Sequence, residues 1–505
     1  MVASGKFELP MVYAALGGAM SFYSFPFLYS YGGSGVIAAT VLLWAIPLGF
    51  LFALSQCPFF CANDEILLFF KKLGILAVFG ASGFSLGFAA RAAVPAAPAP
   101  GLEPARVTGV SGILAEDPRL FNDNRGIGAL TLTGAAGRGG ERVSAKGKLQ
   151  VFFPAEAVPG LKEFGRGCEI YTEGKLVESE RGLLFRASAV YITKPASVIE
   201  QFRTVFRTGL LEKLAGPPGN TPVWSGLASA LLLGVRDNLD TSLQAGFRDA
   251  GCSHVLALSG MHLALFSAVI AFFLKRLMGV RAASLAGGVF IVLYVYLAGA
   301  QPSLVRAAIM YLLGVVCLWG FLKKDALNIL CLAFIIQLVM QSESGLSVSF
   351  ILSYLALAGI LTIGEMIHEF FRGRLPEILG GSLSASIGAF LLTAPVVSLY
   401  FRTLQPVGLL AGIVIVPAAS LFMILALAAL VLVSLFPFLF APFDFILTLI
   451  YRALDFMVSL AGKVRGLEAA NPLAVLAVVL VLCCLLVCLC SRDRRIRSTI
   501  APFIN

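Results

Sequence analysis

The chain has 505 residues, 58% of them hydrophobic and 13% charged, with a formal net charge of +10. Soluble domains carry about a quarter charged residues, so a mean hydropathy of +0.90 excludes an ordinary soluble enzyme and points to a chain that mostly meets lipid. The charge is uneven: residues 101–194 hold 13 Lys/Arg and 11 Asp/Glu, so most of the basic excess lies among apolar segments, where it orients helices rather than binding nucleic acid.

Three apolar segments come first, at about 11–31, 35–55 and 73–93. Lys71 and Lys72 precede the third and predict a cytoplasmic anchor, so that span delivers the chain to the outer face. The first two read either as full crossings or as a hairpin, with the N-terminus expected in the cytoplasm. Residues 92–101, rich in Ala and Pro, read as a stiff linker rather than a signal-cleavage site.

From about 104 to 194 the pattern changes to short alternating runs separated by turn residues. Five strands are expected, at 106–114, 128–133, 147–153, 168–176 and 183–192. That count and spacing favour a small Greek-key barrel of the OB type, with a sandwich fragment as the alternative. Residues 197–250 read as amphipathic interfacial helices, with Phe202, Val205, Phe206 and Leu210 near one face and Arg203 and Arg207 beside them. Pro217-Pro218-Gly219-Asn220 divides this stretch.

Nine further segments follow, at about 253–274, 283–300, 303–322, 326–341, 346–367, 382–401, 407–435, 438–460 and 472–490. Threaded from outside, the inner loops carry Lys275, Arg276, Arg281, Lys323, Lys324, Arg372, Arg374, Arg492, Arg494, Arg495 and Arg497. The outer loops carry Arg402, Lys463 and Arg465, a bias that places the C-terminus in the cytoplasm. The expected fold is therefore a polytopic α-helical membrane protein of about twelve membrane segments with an inserted small β-barrel, OB-like and extracytoplasmic. Its parts are a three-span region and linker over 1–100, the barrel over 101–196, interfacial helices over 197–250 and a membrane domain over 251–505.

The densest polar cluster in apolar sequence is Ala250-Gly-Cys-Ser-His-Val-Leu-Ala-Leu-Ser-Gly-Met-His-Leu263. On a continuous helix His254 and His262 lie about 80° apart in projection. Ionisable groups at membrane depth are costly and mark function or a buried pair. Ser259 and His262 lack an elbow motif and a third triad member, so a polar lining or a structural network is favoured over covalent catalysis, and no catalytic residue is assigned. Gln301 and Arg306 form a second cluster, in which the guanidinium either snorkels to headgroups or faces an anion pathway. Ser349, Ser353 and Tyr354 share a later helix. Pro395 and Pro417 each remove a helix hydrogen bond, giving either a packed kink or a broken helix beside a pathway.

Only His254, His262 and His368 occur in the whole chain, which excludes a metallo-hydrolase domain with a multi-histidine site. No phosphate-binding Gly-x-x-x-x-Gly-Lys-Ser/Thr loop exists. The ten cysteines include no Cys-x-x-Cys pair. Cys57 and Cys61 flank a short loop expected in the cytoplasm, where no disulfide is expected. Cys483, Cys484, Cys488 and Cys490 share an apolar run, and Cys168 stands alone in the barrel. No metal and no cofactor are expected.

Leu231-Leu-Leu-Gly-Val-Arg236, Phe247-Arg-Asp-Ala-Gly-Cys-Ser-His254 and Ala257-Leu-Ser-Gly-Met-His262 resemble the hallmark of the ComEC family of competence proteins. Pro302-Ser-Leu-Val-Arg306, Phe350-Ile-Leu-Ser-Tyr354, Thr393-Ala-Pro-Val-Val397 and Val416-Pro-Ala-Ala-Ser420 resemble its later motifs, in the same order, so the likeness covers nearly the whole chain. Two positions depart from it: Val235 stands where relatives carry an acid, and Ser347 where an aspartate is expected. The resemblance does not extend to the family's C-terminal metallo-beta-lactamase-like domain, so a nuclease step is expected to belong to another protein.

The resemblance implies an inner-membrane channel, not an enzyme, that admits single-stranded DNA to the cytoplasm during natural transformation. It implies His254, Ser259, Gly260, His262, Gln301, Arg306, Ser353, Pro395 and Pro417 along the pore. The barrel would receive the strand through Lys146, Lys148, Phe152, Arg166, Tyr171 and Arg186. Implied partners are single-stranded DNA, membrane lipid, a cytoplasmic helicase or ATPase, a separate nuclease and a periplasmic DNA receptor. A small-molecule or lipid transporter and an intramembrane hydrolase are the alternatives.

Overall fold

The computed structural model describes residues 10–30, 79–94 and 103–500, apart from 104–105, 121–124, 138–140, 155, 157–164, 180–181, 218–220, 259, 323, 465 and 469–470. The apolar segment expected at 35–55, the Lys71-Lys72 anchor and the Ala/Pro linker after residue 94 lie outside the described residues.

Seven strands build one sheet: β1 (Val107–Leu114), β2 (Arg119–Leu120), β3 (Gly126–Gly137), β4 (Arg142–Ser144), β5 (Lys148–Phe153), β6 (Glu169–Ser179) and β7 (Gly182–Lys194). Five long strands run in the order β1-β6-β7-β5-β3, and β1 also pairs with β3, which closes the barrel. The pairing of β5 with β7 is parallel and the others are antiparallel, the order of a Greek-key OB-type barrel. Strand alternation explains why it closes over a dry core. Leu149, Val151 and Phe153 point inward while Lys148 and Gln150 face out, and Val110, Leu114, Leu130, Ile170 and Phe185 complete the interior. The short β2 and β4 extend β3 at its two ends.

The Val198–Ala215 helix follows directly, N-capped by Ser197. Its apolar residues Val198, Ile199, Phe202, Val205 and Phe206 are exposed, whereas Arg203 on the other side is buried. The Ser225–Leu233 helix differs: all nine of its residues are buried, so it packs as an inner helix and has no exposed face.

A helix occupies each of the nine segments expected after residue 250. They are Gly260–Ala298, Pro302–Trp319, Ala326–Met340, Val348–Gly359, Glu377–Phe401, Gly408–Leu435, Phe440–Gly462 and Pro472–Ile500. The first accounts for two segments, because Gly279, at φ 76 and ψ 166, divides it. Val348–Gly359 runs on through a π-helical turn, Ile360–Gly364, into Glu365–Phe371. Among the described residues six helices are long and apolar enough to cross a bilayer. Helices satisfy every backbone group internally, which hydrocarbon demands.

One expectation needs correction. The segment placed at 253–274 begins at Gly260: Ser253–Leu256 is a separate single turn and Ala257 is extended. His254 and His262 therefore do not share a continuous helix. Of the two readings of Pro395 and Pro417, the broken helix is set aside: both prolines lie inside continuous helices, where a long, packed helix tolerates the missing hydrogen bond.

Candidate functional site

Three polar clusters stand out against this apolar background. The first joins the barrel to the helices. Asp117, between β1 and β2, accepts hydrogen bonds from Arg203 Nη2 at 2.6 Å, from Arg203 Nη1 at 3.0 Å and from the Arg166 backbone N–H at 3.1 Å. Arg207 Nη1 pairs with the same carboxylate. Glu200, one turn before Arg203, accepts from Arg203 Nε at 2.8 Å and from Arg166 Nη2 at 2.6 Å. Arg207 also donates to the Leu233 carbonyl at 3.3 Å, and the Arg166 guanidinium lies 5.5 Å from the centre of the Tyr296 ring. Burial alone would raise the Asp117 carboxyl, but the Arg203 hydrogen bonds and the charges of Arg207 and Arg203 outweigh it and hold the carboxyl below its ordinary range. Glu200 is lowered in the same way, its desolvation outweighed by hydrogen bonds from Arg166 and Arg203.

The second cluster lies on the outer wall of the barrel. Phe152 of β5 pairs with Arg186 of β7, and Arg186 pairs with Lys175 of β6. Residues directly opposite on one face have neighbouring side chains, so these three form a row across adjacent strands. The Arg125 guanidinium lies 5.5 Å from the Phe152 ring centre. Along the same two strands Tyr171 and Tyr191 stack at 6.3 Å with Tyr191 exposed. Of the six barrel residues proposed from sequence, Phe152, Arg186 and Tyr171 thus lie along one surface, and Lys146 is exposed just before β5. Arg166 and Lys148 are engaged elsewhere, with Glu200 and with Glu343 of the Ser342–Leu346 turn. Lys175, Arg125 and Tyr191 were missed because strand register, which brings them beside Arg186, Phe152 and Tyr171, is set by long-range pairing.

The third cluster is inside the helical domain. Arg306, only 9% exposed, donates through Nη1 to the Ser353 carbonyl and lies 5.7 Å from the Tyr354 ring centre. The Tyr354 hydroxyl donates to Gln337 Oε1 at 2.7 Å, and Gln337 Nε2 donates to the Pro302 carbonyl at 2.9 Å. Ser303 Oγ donates to the Leu258 carbonyl at 2.5 Å, which ties the start of the Pro302–Trp319 helix to the chain just before Gly260. Gly260 lies against the Arg306 guanidinium. Gln301 precedes the Pro302–Trp319 helix and borders Gly234. His262 is buried in the first turn of its helix. Ser259 lies outside the described residues. Pro395 and Pro417 sit in mid-helix, each with a serine three residues on: Ser398 Oγ donates to the Pro395 carbonyl, and Ser420 Oγ to the carbonyl of Val416. Among the described residues no group of three or more His, Cys, Asp or Glu could hold a metal ion.

The two departures noted in sequence have separate outcomes. Ser347 N-caps the Val348–Gly359 helix, accepting from the Phe350 N–H at 3.2 Å, a role that Ser and Asp fill equally well. Val235 is partly buried against the helical core, where a carboxylate would need a partner.

A closed OB-like barrel, inserted among apolar helices and pinned to them by buried ion pairs, defines a multi-helix membrane protein with a built-in barrel domain. Residues 231–492 match the Competence protein family, half of the chain, and the chain belongs to that family. ComE operon protein 3 of Bacillus subtilis (strain 168) is 28% identical over 209 residues, covering 40% of this chain and 25% of that protein. An uncharacterized protein of Aquifex aeolicus (strain VF5) is 26% identical over 228 residues, covering 45% of this chain and 52% of its own length. The chain thus spans between a quarter and about half of the length of the curated relatives it matches.

Proposed function

We propose that this protein is an inner-membrane channel that passes single-stranded DNA into the cytoplasm during natural transformation. About twelve membrane segments then hold the barrel outside, with both termini in the cytoplasm. Membership of the Competence protein family supports a part in DNA uptake. The observation that carries the channel reading is the row Phe152, Arg186 and Lys175 on an OB-type wall, joined by ion pairs to a membrane domain whose buried Arg306 pairs with no carboxylate among the described residues. Aromatic faces stack on bases and cations follow phosphates, which suits single strands irrespective of sequence. In this reading Phe152, Tyr171 and Arg186 receive the strand, with Lys146 at the edge, while Arg166 and Lys148 hold the barrel in place. His254, Gly260, His262, Gln301, Arg306 and Ser353 belong to the polar lining, with Pro395 and Pro417 on flanking helices. The strand is pulled by a helicase or ATPase, supplied by a periplasmic receptor and trimmed by a separate nuclease.

The test is anisotropy of a fluorescent single-stranded oligonucleotide against the full chain in detergent, across a salt series. Binding should fall linearly on a log–log salt plot, and charge reversal at Lys175 and Arg186 should flatten the slope by about 0.7 for each phosphate that the barrel no longer neutralises. Binding indifferent to both reversals would remove the barrel platform. No binding at low salt would favour a small-molecule or lipid transporter instead.

A further inference from the structure

Arg306 is nine-tenths buried among apolar helices, and among the described residues no carboxylate pairs with it. Its hydrogen bond goes to a neutral carbonyl, that of Ser353, and its Nε has no partner although it is buried. A buried cation without a counter-charge is strongly unfavourable, and more so at membrane depth.

The surroundings add positive potential. Arg306 reaches the N-terminus of the Gly260–Ala298 helix: a Cβ built on Gly260 would sit 3.2 Å from Arg306 Nη2 and 3.1 Å from the Ala307 Cβ. Glycine there leaves room for the guanidinium beside the first turn. The first amides of a helix have no intrahelical acceptor and carry the positive end of its dipole. The chain before Gly260 is extended at Ala257, so this is a true helix start. The Ser303–Leu258 hydrogen bond brings the start of the Pro302–Trp319 helix to the same place. Discontinuous membrane helices present such N-termini to anionic groups, and helix starts are anion sites in general.

The geometry points to a phosphodiester-binding site in the membrane domain, formed by the Arg306 guanidinium and the N-terminus of the Gly260–Ala298 helix. This deepens the channel reading and rests on it for the source of the phosphodiester, a nucleic-acid strand. A single negative oxyanion neutralises the guanidinium and takes the planar N–H fork that a lysine lacks.

The experiment is thermal unfolding of the full chain in detergent, titrated with thymidylyl-thymidine, its uncharged methylphosphonate analogue and glycerophosphoglycerol as a lipid-headgroup probe. The phosphodiester dinucleotide should raise the Tm of the wild type and the methylphosphonate should not. Arg306→Gln should weaken the apparent affinity by about tenfold or more, with Arg306→Lys in between. A variant reversed at Lys175 and Arg186 should keep the shift. Helical circular dichroism and elution volume check folding; if Arg306→Gln does not fold, Arg306→Lys and Gly260→Ala carry the comparison and should both weaken the shift. No shift in the wild type, or a shift unchanged by every variant at Arg306 and Gly260, would overturn the site. An Arg306-dependent shift with glycerophosphoglycerol alone would overturn the nucleic-acid assignment. Strand uptake into vesicles is read separately. Uptake without an Arg306-dependent shift removes the site and keeps the channel; the shift without uptake keeps the site and removes the channel.

Discussion

Arg203 grips Asp117 with both terminal nitrogens, Nη2 to Oδ1 at 2.6 Å and Nη1 to Oδ2 at 3.0 Å, although 86 residues separate them. The pair fixes the barrel on the helix that leads into the membrane domain. Arg203 is also within 3.5 Å of the Leu297 carbonyl, so one side chain touches barrel, connecting helix and membrane helix. Removing one member of such a pair strands the other charge in a dry setting. Asp117→Asn should therefore destabilise the full chain by about 3 kcal/mol, at the low end for a broken buried pair. A double-mutant cycle with Arg203→Met should show coupling above about 1 kcal/mol; strictly additive effects would mean that the pair does not hold the barrel.

The same cluster sets a pH dependence. Asp117 and Glu200 have folded pKa values below their unfolded ones, which lie near about 4. Their contribution is complete above the unfolded value and is lost as pH falls through the folded values. Docking should hold from about pH 5 upward and loosen progressively below about pH 4. Hydrogen exchange of β1 and of the Val198–Ala215 helix between pH 7 and pH 3 reads this directly. The Asp117→Asn/Glu200→Gln double variant should show a shallower slope over that acid range, and an unchanged slope would assign the acid sensitivity to other groups.

Much of this protein is legible in its sequence because the two environments write different periods. Alternation marks the five long strands, β1, β3, β5, β6 and β7, whereas β2 and β4, of two and three residues, are too short to show a period. Runs of about twenty apolar residues mark the membrane helices. The clusters are less legible. Arg203 and Arg207 stand out beside Phe202 and Phe206, but their partner Asp117 is an ordinary loop acid until the barrel closes. Arg306 is conspicuous as a cation in an apolar run, yet that no described carboxylate pairs with it can be read only in three dimensions. The histidine pair misleads: spacing alone suggests one helix, whereas the extended Ala257 separates His254 from His262. Pro395 and Pro417 leave both a packed kink and a break readable in sequence, and only the structure shows both helices continuous.

Cys168 offers a reporter for barrel opening. Its side chain is fully buried in the barrel core, and burial pushes the thiol up to about 11. Since the thiolate is the reactive form, a protein retaining Cys168 as its sole cysteine should resist maleimide at pH 7.5 for as long as the barrel is closed. Denaturant should bring labelling to completion. Rapid labelling of the native protein would contradict a closed barrel.

The Tyr354–Gln337 hydrogen bond supports the polar cluster at membrane depth. Gln337 is fully buried, and Tyr354 donates to its Oε1 at 2.7 Å. Tyr354→Phe keeps the ring beside Arg306 but leaves that oxygen without its donor, at a cost of about 1–3 kcal/mol. Pairing Tyr354→Phe with Gln337→Leu makes both partners apolar and should recover part of the loss. Unfolding midpoints of the single and double variants give the comparison; strictly additive effects would show that Gln337 matters chiefly to the Pro302 carbonyl.

The tight approach of two backbones in the membrane domain gives the sharpest steric prediction. Gly388, in the Glu377–Phe401 helix, meets the Val348–Gly359 helix where that helix passes into its π turn. A Cβ at Gly388 would lie 2.5 Å from the Gly359 carbonyl oxygen and 2.7 Å from the Gly364 nitrogen, and one at Gly359 would lie 2.1 Å from the Gly388 oxygen. These are backbone atoms and cannot rotate away. Small residues let membrane helices approach this closely, and Gly380, Ser384 and Gly388 recur every fourth residue along the same helix. Gly388→Ala should therefore force the helices apart, at a cost of about 1–3 kcal/mol or more. Gly380 provides the control. A Cβ there meets the Cβ atoms of Phe371 and Leu375 at 3.6 and 3.7 Å, ordinary van der Waals distances, and alanine favours a helix over glycine by about 1 kcal/mol. Gly380→Ala should be neutral or stabilising while Gly388→Ala lowers the unfolding midpoint. Equal effects at the two positions would mean that the helices do not cross at Gly359 and Gly388.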